Sequence, residues 1–325
     1  MKRREFLKAS SILAASGLLP ALKTVKAQEK QTYYMVTFVS GIDYWKDCYR
    51  GMQDAAEFLG VEAIYTGTPE NDIIAETRVF EEVAGQQPDG ILPTIANPDA
   101  FIAPINAAIE AGIPVVCFDA DSPLSKRYSF VGTGNYYAGV VAARWLAPLV
   151  GSGKVAISSV TAQLNHVQRR QGFIDTLAAE FPDVVTSDDL IIDDQNNSTI
   201  AAQQMSSLLQ ANPDIKGVFA TDALGAVGVG QAVREAGLSG QIKIIGFDYD
   251  EGTLDLIDSG ELSATLAQGT WQMGFWGLMM LYMVRNGFIK SVSDWKAAGI
   301  SPLPPNVDTG VVVITAENSQ YWRAS

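Results

Sequence analysis

From Tyr33 onward, short runs of β-branched and aromatic residues alternate with longer amphipathic segments, a pattern that predicts parallel strands joined by crossover helices. The first series reads as strands over 33–40, 61–66, 90–94 and 113–118. Helices fall between them over 44–59, 73–86 and 100–111, the last stopped by Gly112. A second series follows the Gly132-Thr133-Gly134 break. It predicts helices over 136–150, 167–180, 199–211 and 224–236 and a short one ending at Asp258, with strands over 154–158, 217–221 and 243–247 and an extended run over 184–192. The strand ending Val115-Val116-Cys117-Phe118 is almost continuously apolar, as expected of a sheet covered on both faces. The apolar stretch from Thr270 to Val284 includes Gln272 and is too short for a bilayer, so it reads as a buried helix.

Two consecutive series of this kind predict an α/β chain of two doubly wound, parallel-sheet lobes. Each lobe presents loops at the carboxyl ends of its strands, where such sheets bind ligands, so the site is expected between the halves. At 325 residues, with 47% hydrophobic and 18% charged positions, the chain is long enough for two separate cores.

The first 27 residues change both the boundary and the charge. A cationic head containing Arg3-Arg4 precedes an apolar stretch ending in Val25-Lys26-Ala27, which reads as an export signal peptide with the mature start at Gln28. The segment from Arg3 to Lys8 resembles a twin-arginine signal, and the expected location is the periplasm. Six basic leader residues stand against Glu5 alone, so their removal takes the net charge from -13 to five units lower. That sign opposes binding to nucleic acid or to an anionic membrane. Cys48 and Cys117 are the two cysteines; an oxidising compartment permits a bond, but two buried free thiols are the preferred reading.

Catalytic and metal constellations are sparse. His166 is the one histidine, placed at a loop-to-helix start to bind ligand or water, with no G-x-S-x-G, H-E-x-x-H or C-x-x-C pattern beside it. The glycines at 225, 228 and 230 have the wrong order for a dinucleotide loop and read as helix packing. The residues leaving the strands carry more information: Tyr44 and Trp45, Thr94, Asp119, Asp222, Asp248 and Gln268. Carboxylates and an amide at one rim accept from adjacent hydroxyls, while aromatic faces cover the C–H surfaces of a sugar or polyol. Singly, Asp222 and Asp248 also read as helix N-caps.

At this point the chain resembles the periplasmic sugar-binding proteins of the ribose-binding type, the type I periplasmic binding fold. The resembling segments are 44–53 (YWKDCYRGMQ), 112–119 (GIPVVCFD), 132–135 (GTGN), 169–173 (RRQGF), 217–222 (GVFATD), 245–248 (IGFD) and 266–268 (LAQ). The resemblance implies stacking by Tyr44 and Trp45, polar recognition by Asp119, Asp222, Asp248 and Gln268, and further ligand-facing roles for Thr94, Thr133, Arg169 and Asn196. It also implies a three-strand hinge, with lobes of 28–133 plus 269–308 and 134–268 plus 309–325. Ala120 stands where pentopyranose binders of that family often have Arg, and Ile42-Asp43 where they often have Asn before the aromatics.

The implied function is that of a monomeric solute-binding protein that needs no cofactor, closes on a neutral sugar or polyol, and serves an ABC transporter permease and a chemoreceptor. A sugar-responsive transcription regulator would need a helix-turn-helix where the leader stands. A carboxylate-pair hydrolase would need its acids together rather than spread over both lobes.

Overall fold

A computed structural model of the chain describes residues 30–323, apart from 71, 290–293 and 296. The expected leader and the start at Gln28 lie outside the described residues.

The first half runs β1 (Thr32–Thr37), α1 (Tyr44–Leu59), β2 (Glu62–Gly67), α2 (Ile73–Gly85), β3 (Gly90–Pro93), α3 (Ile102–Glu110), β4 (Val116–Phe118) and β5 (Ser129–Gly132). Strands β2, β1 and β3 pair in parallel, as do β4 and β5, and an Ile91–Val115 bridge joins the two groups. Pro114 has no N–H to give to the ladder, which explains why β4 begins later than its apolar run suggests. The four residues of β5 were hidden in the sequence against the Gly132-Thr133-Gly134 break.

The second half continues with α4 (Asn135–Val150), β6 (Gly153–Ser159), α5 (Leu164–Glu180), β7 (Val184–Val185), β8 (Ile191–Asp193), α6 (Ser198–Ala211), β9 (Ile215–Ala220), α7 (Ala223–Glu235), β10 (Lys243–Phe247), α8 (Glu251–Asp258) and β11 (Ala264–Gln268). The expected extended run is thus two short strands separated by a 3₁₀ turn at Asp188–Leu190. After α9 (Thr270–Arg285), strand β12 (Asn306–Asp308) returns to pair in parallel with β5, and β13 (Val311–Ile314) pairs antiparallel with β11. Two sheets result, ordered β2-β1-β3-β4-β5-β12 and β13-β11-β10-β9-β6-β7, with β8 also on β6.

Both faces of each sheet are covered. In the first, Tyr33, Met35, Val116 and Phe118 pack under α1 and α9, while Val36, Ile91, Val115 and Cys117 pack under α2 and α3. This alternation separates the cysteines: Cys48 lies in the first layer and Cys117 in the second, both buried and free. The apolar helix α9 lies against α1 at very close range. A Cβ on Gly274 would stand 1.8 Å from the Cys48 carbonyl oxygen, and one on Gly51 would stand 2.0 Å from that of Trp271. Gly139 and Gly172 play the same part between α4 and α5, and Gly228 lets α7 meet the start of α6. No described helix is long and apolar enough to cross a membrane.

Candidate functional site

Each sheet brings an aspartate to an equivalent point. The Asp119 N–H continues the ladder to the Val131 carbonyl at 3.2 Å, and the Asp248 N–H does the same to Leu266 at 2.9 Å. Both residues then turn into the left-handed region, at φ 60° and 66°. A non-glycine residue occupies that region at a cost, and strain of this kind collects at functional sites. The turn aims each carboxylate off its strand end, so two acids from separate sheets converge.

Tyr44 Oη donates to Asp119 Oδ1 at 2.7 Å and Thr94 Oγ1 to Asp119 Oδ2 at 3.4 Å. From the second sheet, Gln268 Nε2 donates to Asp248 Oδ1 at 2.8 Å. Thr133 Oγ1 and Arg169 Nη2 both donate to Gln268 Oε1, at 2.6 and 3.1 Å. Arg169 is 3% exposed, and its remaining donors go to the Asn135 side chain and the Thr221 carbonyl, while its guanidinium lies 3.8 Å over the Phe247 ring. Burial raises the Asp119 carboxyl; its bond from Tyr44 and the Arg169 charge oppose that rise. Burial pushes Asp248 up to about 6, again against Arg169 and Gln268.

Asp222 sits beside this group and caps α7, its Oδ1 accepting from the Gly225 N–H at 2.7 Å. His166, in the first turn of α5, bonds Thr221 Oγ1 through Nδ1 at 2.8 Å and stands 3.9 Å from Asp222 Oδ2. Burial and the neighbouring Arg169 and Arg170 hold its pKa well below 6.5, so the ring is neutral. No group of three or more His, Cys, Asp or Glu suited to a metal ion occurs among the described residues.

Two of the sequence-predicted site residues are placed differently from the rest. Trp45 is 2% exposed, donates from Nε1 to the Phe38 carbonyl, and packs edge-on against Phe38, Tyr44 and Phe118 in the core. Successive helical residues point about 100° apart, so Tyr44 faces Asp119 while Trp45 faces inward, contrary to the expectation that both rings stack on ligand. Asn196 is exposed, on a turn whose residues 195 and 196 are both left-handed, and its backbone N–H is held by Asp194 Oδ1 at 3.0 Å. Asn135, Thr221 and Asp194 were missed as individual residues. Asp194 directly follows β8, a strand too short to be recognised, so the strand-end criterion had nothing to act on.

A cavity of about 790 Å³ opens beside the cluster, with Asp119, Asp121 and Arg127 on one side and Asn135, Tyr137 and Gln168 on the other. Its volume is within the range of small-molecule sites. The chain crosses between the sheets three times, and the crossings at Thr133–Gly134 and Asp308 line the cavity. Asp308 Oδ1 accepts from the N–H groups of Gly134 and Gly310, at 2.7 and 2.8 Å, and Thr309 N–H bonds the Gly132 carbonyl. Tyr249, on the loop after β10, also reaches α1, its hydroxyl donating to Asp47 Oδ2 at 3.2 Å.

Two largely parallel sheets, three crossings and convergent carboxylates define a binding protein of the two-lobed periplasmic kind. Residues 33–287 match the family model described as "Periplasmic binding protein domain", and the chain belongs to that family. It is similar to a sugar ABC transporter sugar-binding protein of Bacillus halodurans, at 43% identity and TM-score 0.86 over 90% of this chain and 100% of that one. It is also similar to AraP, an arabinose binding protein of Geobacillus stearothermophilus, at 40% identity and TM-score 0.84 over 91% and 100%. A curated relative, the xylose/arabinose-binding protein XylF of Sulfolobus acidocaldarius, is 30% identical over 85% of this chain and 69% of its own length. The chain is therefore a substrate-binding protein that holds a small solute between its lobes, and not an enzyme.

Proposed function

We propose that the solute is a neutral monosaccharide of pentose size, held between Asp119 on one lobe and Asp248 on the other and delivered to an ABC transporter permease. The observation that carries this reading is the pair of left-handed aspartates at equivalent strand ends of the two sheets. Each offers acceptor oxygens suited to vicinal hydroxyls, and Tyr44 supplies a ring beside them. Arg169 already directs its donors to Asn135, Thr221 and Gln268, and the carboxylates of Asp119, Asp222 and Asp248 around it disfavour a phosphate or sugar acid. The similarity to arabinose- and xylose-binding relatives supports a ligand of pentose size.

In this reading Tyr44, Thr94, Asp119, Thr133, Arg169, Asp222, Asp248 and Gln268 form the site, Trp45 supports Tyr44 from below, and Asn196 belongs to the outer lip. The lobes are 28–133 plus 269–308 and 134–268 plus 309–325, closing about the crossings near Thr133, Gln268 and Asp308. Ligand that touches both rims favours the closed state because it makes contacts there that the open state lacks. The protein acts as a monomer in the periplasm after twin-arginine export, with a chemoreceptor as a second partner.

A thermal-shift panel of neutral pentoses, neutral hexoses, polyols, sugar acids and sugar phosphates tests the ligand class. At least one neutral pentose is expected to raise the melting temperature. A rise with charged sugars alone, or with no pentose, would overturn the assignment.

A further inference from the structure

Behind Asp222 lies a second carboxylate that the cluster around Arg169 does not use. Asp194 is 0% exposed; its Oδ2 accepts from Ser158 Oγ at 2.6 Å and its Oδ1 from the Asn196 N–H at 3.0 Å. Asp222 is 5% exposed, and its Oδ2 is buried with no donor among the described residues. A methyl group on Gly225 would stand 2.6 Å from Asp194 Oδ2 and 3.2 Å from Asp222 Oδ2, so both oxygens converge on one point. The two carboxyls are within hydrogen-bonding reach of each other. Two ionised carboxylates have only acceptors to offer, and a buried pair of that kind is bonded only if one of them carries a proton.

We propose that Asp194 is a positioning residue of the binding site: it shares one proton with Asp222, which clamps the Asp222 carboxyl and the cap of α7 at the second rim, and loss of that proton releases the clamp and weakens sugar binding. The proposal rests on the sugar-binding reading above and deepens it. The loop carrying Asp194 and Asn197, the cap of α6, meets the turn between β9 and α7 at this pair. A second negative charge would drive these two segments of the rim apart.

Burial, followed by the charge of the partner acid, pushes Asp222 up to about 8, and burial raises Asp194 as well. The other titratable groups facing the pair change charge elsewhere or not at all. His166 is neutral down to acid pH, Asp248 titrates near 6, and Arg169 keeps its charge, while Asp193 beside the pair raises Asp194 further. An alkaline loss of affinity therefore belongs to the pair.

The test is sugar affinity against pH in the native protein and in Asp194→Asn, with Asp222→Asn as the second variant. In the native protein, affinity is expected to fall above about pH 8, with a limiting slope of about tenfold per pH unit for one proton. Either amide donates to the remaining carboxylate without a shared proton, so the variants are expected to lose this alkaline arm. A merely structural role would lower affinity at every pH and leave the arm in place. The same proton is read without sugar by infrared difference spectra at neutral pH: a protonated-carboxyl stretch of the native protein is expected to be lost in both variants, over the Glu76 band that all three share. An unchanged alkaline arm in Asp194→Asn, or a protonated-carboxyl band that neither variant diminishes, overturns the proposal. Failure of every neutral sugar to bind while the band is present and variant-sensitive would instead overturn the ligand assignment.

Discussion

Asp248 shows how little of a binding residue's environment lies in its own sequence neighbourhood. The Gly246-Phe247-Asp248 run marked it, but its partner Gln268 and the Arg169 charge come from other elements. Replacing it by Ala leaves Gln268 Nε2 without its acceptor and is expected to weaken sugar binding by about 2–5 kcal/mol, as measured by calorimetry. Binding through its ionised form also predicts a falling affinity as the pH drops below about 6. Trp45 was legible as an aromatic at a strand exit, but its direction was not, because that depends on how α1 is rotated. Trp45→Ala is therefore expected to reduce stability by about 3–5 kcal/mol in denaturant unfolding through the cavity it leaves. Glu76 is a buried acid: burial pushes it up to about 7, against two long bonds of 3.4 Å from the Ala96 N–H. A raised carboxyl pKa stabilises the fold below the unfolded value and loses that contribution as the pH rises through the folded one. Glu76→Gln is accordingly expected to raise stability by about 1–3 kcal/mol at pH 8 relative to native, and to leave it unchanged near pH 4.

Among elements, those long enough to show their period were readable, and the unreadable ones were short or defined by a partner. Helix α1 was predicted with the ends it has, Tyr44–Leu59, because its apolar positions recur at helical spacing and Gly60 stops it in the left-handed region at φ 70°. The four residues of β5 and the three of β12 make sense only beside each other, through the pairing of Val131 with Val307. Helix α9 was identified as buried, yet nothing local revealed that its glycines are there for α1. The contact is close enough to predict an outcome: Gly274→Val puts carbon where the Cys48 carbonyl stands and forces the helices apart. Stability is expected to drop by about 3 kcal/mol or more, seen as a lowered midpoint of urea unfolding, whereas Gly85→Ala, with open space around its Cβ, is expected to change little.

Across the whole molecule, the repetition of one plan explains the position of the site. In each sheet the chain steps from its first strand to two neighbours on one side, so β4 and β10 take equivalent positions and their terminal aspartates face the same gap. The crossings at Gly134, Gly269 and Thr309 are packed together, and Asp308 links two of them. This arrangement lets the lobes move as bodies while their strand ends remain opposite one another. The sequence pattern disclosed the repetition and thus the cleft, but not the linkage of the crossings, which depends on Gly134 and Asp308, 174 positions apart, meeting in space. The most direct test is calorimetric titration of the native protein with L-arabinose, D-xylose and D-ribose beside D-gluconate. One sugar molecule per chain is expected, with a dissociation constant of about 1 μM or tighter for at least one neutral pentose, no heat from the anion, and unaltered sugar recovered afterwards. Tight binding of gluconate alone, or consumption of the sugar, would contradict the account.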